Sequence, residues 1–131
     1  MYLFYCTVRW SGYVLSYSGA TGVEYTFSVD VDAATGDGAR LYIDGVLVMD
    51  EWLGAVGTGL ATFSGKYTFA EPDTLYAIAL EFRENTGDAS ARLYWESSNI
   101  PSPGVREIIP QANLYSGADT IGGAPYTVTV V

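Results

Sequence analysis

Apolar and polar positions alternate with period two along most of this chain. Phe4, Cys6, Val8 and Trp10 alternate with Tyr5, Thr7 and Arg9, and Tyr25, Phe27, Val29 and Val31 alternate with Glu24, Thr26, Ser28 and Asp30. The pattern returns at Tyr76, Ile78, Leu80 and Phe82, at Ala89, Ala91, Leu93 and Trp95, and at Tyr126, Val128 and Val130. Successive side chains of a strand point to opposite faces, so each segment predicts a strand with one buried and one wetted face. No segment sustains a helical period.

The turn chemistry agrees. Asp44-Gly45 separates Leu41-Tyr42-Ile43 from Val46-Leu47-Val48 and predicts a tight hairpin. Asn85-Thr86-Gly87-Asp88 predicts a second hairpin between strands at 75–84 and 89–95. Gly19–Gly22, Ala33–Gly38 and Glu71-Pro72-Asp73 read as further breaks. Pro101, Pro103 and Pro110 withhold backbone donors and keep 97–110 out of a sheet interior. Many short strands with turns at this spacing predict an all-β fold, an antiparallel sandwich or barrel.

Composition narrows the function. The length of 131 residues suits one domain. With 49% apolar and 16% charged residues, most of the chain is expected to fold. No apolar run approaches the ~20 residues of a spanning helix, and Met1–Cys6 lacks the basic flank and cleavage site of a signal peptide. Six Lys+Arg against fifteen Asp+Glu give a net charge of −9, which argues against a nucleic-acid partner. The absence of histidine excludes Ser-His-Asp and Cys-His catalysis and imidazole metal sites. Cys6 stands alone, so it is a buried thiol or a disulfide partner for another chain. An acidic, Lys-poor surface rich in Tyr, Gly and Thr fits a secreted or cell-surface protein.

The candidate chemical residues are few. Asp44 belongs to the Asp-Gly turn, and Glu81 and Glu84 fall on opposite faces of one strand, so neither makes a glycosidase acid–base pair. Arg83 and Arg92, on facing strands of the expected hairpin, are available to pair with Glu81 or Glu96. Trp10 and Trp95 fall on the apolar side of their strands. Trp52 follows Asp50-Glu51 at a strand end and is left as a sugar-stacking candidate. Tyr42, Tyr94 and Tyr115 are candidates for exposed contact surface. No Asn stands in an N-glycosylation pattern.

An ordered set of strings carries a resemblance. These are Trp10-Ser11-Gly12-Tyr13-Val14, Tyr25-Thr26-Phe27, Gly38-Ala39-Arg40-Leu41-Tyr42-Ile43-Asp44-Gly45, Val48-Met49-Asp50-Glu51-Trp52, Gly65-Lys66-Tyr67, the stretch 75–95, and Ile109-Pro110. Together they resemble the PA14 (PA-fourteen) domain, over roughly 7–115. The resemblance implies a usually non-catalytic β-sandwich of toxins, adhesins and surface proteins. Members carry several tens of residues ahead of the first of these strings, whereas nine precede Trp10 here. The expectation is therefore a sandwich at 1–116 short of its N-terminal strands. Residues 117–131 are expected to form a terminal strand segment. Gly122–Val130 resembles the closing strand of filamin-like or immunoglobulin-like repeats.

In sugar-binding members two adjacent aspartates in the loop after the second of these strings hold calcium, which grips vicinal hydroxyls. Here Asp37 matches the second aspartate, Gly36 stands at the first, and Asp32 is the available substitute. Asp32 and Asp37 thus read either as calcium ligands or as a solvated acidic turn, with Asp37 and Trp52 as sugar contacts in the first case. Two functions stand side by side. One is an extracellular structural or interaction module that self-assembles, with Tyr126, Val128 and Val130 as a strand donated to a neighbour. The other is a calcium-dependent carbohydrate-binding adhesin domain. No catalytic residue is expected.

Overall fold

The computed structural model describes residues 6–17, 19–32, 36–52, 60–84, 91–116 and 129–130. Ten strands are found among them: β1 (Cys6–Leu15), β2 (Val23–Asp32), β3 (Gly38–Ile43), β4 (Val46–Glu51), β5 (Leu60–Phe69), β6 (Leu75–Glu84), β7 (Ala91–Glu96), β8 (Glu107–Ile108), β9 (Leu114–Ser116) and β10 (Thr129–Val130). A single turn of 3-10 helix at Gln111–Asn113 leads into β9. Among the described residues no helix is long and apolar enough to cross a membrane.

Two antiparallel sheets form the sandwich. The first has the order β4-β3-β6-β1-β9, and the second β10-β7-β2-β5, with β8 also on β7. The alternation read from the sequence decides which side chains meet between them. Val14, Leu41, Ile43, Met49, Ile78, Leu80 and Phe82 point inward from the first sheet. Tyr25, Phe27, Val29, Val31, Phe69, Leu93 and Trp95 answer from the second. Trp95 is fully buried against Tyr17, Tyr25 and Phe27 at ring centroid distances of 5.5, 5.2 and 6.3 Å. Its indole N–H donates to Glu107 Oε1 at 3.0 Å, so the one polar atom of this large side chain is satisfied at the sheet edge.

The Asp44-Gly45 hairpin forms as the sequence predicts. Ile43 faces Val46, and both turn residues have positive φ, 50° and 75°, the backbone twist that matches two flanking strands. The segment 97–110 contributes only β8, on an outer edge, as its prolines require.

One expectation is corrected. The strands at 75–84 and 89–95 are not a hairpin: β6 lies between β1 and β3 in the first sheet, while β7 pairs with β2 in the second. A four-residue Asn/Gly/Asp turn signal fits a crossing between sheets as well as a hairpin, and the packing of the inward faces selects the crossing. Arg92 therefore does not face Glu81. Glu81 accepts instead from Arg9, at 3.1 Å across β1–β6.

The structure also adds β5, a ten-residue strand that the alternation did not reveal. Its inward series is Ala61, Phe63, Gly65, Tyr67 and Phe69, and Gly65 interrupts it. There the strand lies against the Val48 backbone of β4, and a Cβ would overlap the Val48 carbonyl. The glycine is the contact point where the two sheet edges meet.

Candidate functional site

The loop from β2 to β3 opens at the end of the sandwich where β4 and β6 also terminate. Asp32 closes β2, opposite Leu60 of β5. Gly36 takes a left-handed φ of 71°, accessible at low cost to a residue without a Cβ. Asp37 follows and is fully buried. Gly38 then enters β3 so close to β4 that a Cβ on it would stand 2.5 Å from the Trp52 carbonyl oxygen and 2.9 Å from that of Glu51. This approach sets the backbone that follows Asp37 against the backbone of Trp52, the other sugar-contact candidate.

Trp52 is half-buried and held on several sides. Its backbone N–H donates to Asp50 Oδ1 at 3.2 Å, and its carbonyl accepts from Arg83 Nε at 3.0 Å. The Arg40 guanidinium lies 4.7 Å from the ring centroid and that of Arg83 5.9 Å away, both within cation–π range. Arg40 Nε also donates to Asp50 Oδ1 at 3.0 Å. The Arg40 hydrogen bond, with that from the Trp52 backbone, holds the Asp50 carboxyl below the usual carboxylate range. The indole is thus an oriented, partly exposed plate rather than a mobile surface ring.

A calcium cage needs six to eight oxygens. Asp37 supplies one buried carboxylate at this end, and Gly36 supplies no side chain. Among the described residues no group of three or more His, Cys, Asp or Glu converges. The side chain of Asp32 lies outside the described residues, as do Tyr126 and Val128 of the expected assembly strand. Val130 is in β10, opposite Ala91 of its own chain.

Sequence reading missed the arginines. Arg40 and Arg83 come to Trp52 only through the β3–β4 and β3–β6 pairings. Their sole local signal was their outward parity, which told nothing about a neighbour. A third, Arg106, reaches Asp30 through a two-pronged pair at 2.9 and 2.7 Å and lies 3.8 Å over the Tyr94 ring. The Arg106 hydrogen bonds outweigh partial burial and lower the Asp30 carboxyl.

The architecture and this loop end define an all-β sandwich module with its distinctive polar groups at one end. The chain belongs to the PA14 domain family, whose profile matches residues 5–108. It is 34% identical over 109 residues to the anti-sigma-I factor RsgI3 of Acetivibrio thermocellus, a match covering 83% of this chain and 15% of that protein. A solved anti-sigma factor domain-containing protein from Clostridium clariflavum superposes with a TM-score of 0.65 at 32% identity, over 90% of this chain and 35% of that one. A PA14 sugar-binding domain from an RTX adhesin shares the fold with a TM-score of 0.59 at 21% identity, over 86% of this chain and 55% of that one. The chain thus spans a small part of its curated relative.

Proposed function

We propose that this chain is a non-catalytic recognition module of a longer extracellular protein, and that the β2–β3 loop end binds a hydroxyl-rich glycan. The carrying observation is the close approach of the Gly38 backbone to the end of β4, where Trp52 is held as an oriented, partly exposed plate. An indole face covers the apolar face of a pyranose ring. The PA14 sugar-binding domain of an RTX adhesin, which shares this fold, supports the reading. Asp32 and Asp37 are the residues that would offer oxygens to calcium, which would in turn bind vicinal hydroxyls. Calorimetry with simple sugars, with and without calcium, tests the proposal. Binding is expected in the native chain and lost in Asp37→Ala and Trp52→Ala, with folding checked by thermal melting. Absence of any sugar heat, or unchanged binding in both variants, overturns it.

A second reading is an assembly module, with the filamin-like segment 117–131 exchanged between subunits. Its support is the place of β10 on the edge of β7, where Thr129 and Val130 pair with Arg92 and Ala91. Pairing at a sheet edge can also be made by the same strand of a neighbouring copy. Deletion of 120–131 tests it.

A further inference from the structure

The two outer faces of the sandwich differ in chemistry. Across the second sheet, outward positions run Thr26–Lys66–Glu96 and Ser28–Ser64–Tyr94 in successive rows, a polar surface. Across the first sheet the corresponding rows are Tyr115–Tyr13–Ala77 and Ser11–Ala79–Tyr42–Leu47, followed by Arg9–Glu81–Arg40–Asp50. Small side chains occupy the middle of this face and tyrosines stand on both sides of them. The result is a trough of about 690 Å³, floored by Ser11, Ala77 and Ala79 and walled by Tyr13, Tyr42 and Arg9. That volume lies within the range of small-ligand sites, roughly 300–1,000 Å³.

We infer that this trough is a second, calcium-independent carbohydrate site that takes a short neutral oligosaccharide. Tyrosine rings on either side offer apolar plates with hydroxyl tips, suited to pyranose rings that are apolar on their faces and polar at their rims. Ser11 and Ser116 add hydroxyls to the lining. Arg9 is neutralised by Glu81 at 3.1 Å, so the pair presents donors and acceptors without net cationic charge. A net charge of −9 disfavours a polyanion at such a surface. Among the described residues that line the trough are neither Asp37 nor Trp52. The inference shares a ligand class with the proposed function, but neither its residues nor its metal.

The test is calorimetry in EDTA with cello-, xylo- and manno-tetraose, and with oligogalacturonate as the charged counterpart. Ala77 is exposed and points outward, so Ala77→Phe fills the trough without entering the core. Tyr42→Ala removes one wall and guards against a folding defect in the first variant. The native chain is expected to bind at least one neutral oligosaccharide in EDTA, at least tenfold more weakly in both variants, with melting temperatures unchanged. Binding of oligogalacturonate alone overturns the inference, as does binding that survives both variants. Loss in Asp37→Ala with both trough variants intact overturns it while leaving the loop-end reading standing. A dimer seen by sedimentation and dispersed by Ala77→Phe also overturns it, by making a second copy the occupant.

Discussion

Gly38→Ala joins the local geometry of the loop end to the stability of the fold. The added Cβ would stand 2.5 Å from the Trp52 carbonyl oxygen, 2.9 Å from the Trp52 carbonyl carbon and 2.9 Å from the Glu51 carbonyl oxygen. All three are backbone atoms, so no rotamer change relieves the overlap. The end of β4 must retreat by roughly 0.9 Å to reach an ordinary contact near 3.4 Å. That retreat loosens the 3.0 Å hydrogen bond from Arg83 Nε and displaces the indole from its two guanidiniums. Overpacking costs about 1–3 kcal/mol, and a weakened hydrogen bond adds up to about 1 kcal/mol. The stiffer unfolded chain returns about 0.4–1 kcal/mol. The expected net loss is about 1–3 kcal/mol, or a fall in melting temperature of roughly 3–5 °C for each kcal/mol at this chain length. Urea unfolding and thermal melting, read by circular dichroism, measure it. A Gly38→Ala protein within about 0.5 kcal/mol of the native chain would refute the close β3–β4 approach, and with it the placement of the backbone that follows Asp37 against that of Trp52.

Asp30 makes stability depend on pH. Its folded carboxyl is lowered, chiefly by the Arg106 hydrogen bonds, so its contribution is complete above the unfolded value near 3.9 and is lost as pH falls through the lower folded value. Asp30→Asn is expected to cost about 1 kcal/mol at neutral pH, given the partial exposure of the pair, and to lose less on acidification than the native chain. Parallel acid-unfolding slopes in the two proteins would contradict this account. For assembly, removing 120–131 is expected to convert any fibre or higher oligomer into smaller species by electron microscopy. Unchanged particles after the deletion exclude strand donation.

Much of the sandwich was legible in the sequence because strand parity is a local property. Backbone geometry alone puts Tyr25, Phe27, Val29 and Val31 on one side of β2, and all four are buried. Asp44-Gly45 likewise specifies its own turn, since both residues tolerate positive φ. The resemblance carried by the ordered strings led to the right family for the same reason: the strings record local conformations and their order.

What the tertiary structure alone decided is which strands meet. The turn chemistry at 85–88 suits either a hairpin or a crossing, so the assignment of β6 to one sheet and β7 to the other depended on how the inward faces fill one core. β5 was hidden because an inward glycine reads locally as a break, whereas in the fold it is where Val48 approaches. The surroundings of Trp52, and the trough between Tyr13 and Tyr42, likewise arise from strands far apart in sequence. Parity said that Arg40, Tyr42 and Ala79 face outward. Only the register between β3 and β6 placed Tyr42 beside Ala79 and turned outward residues into a shaped surface.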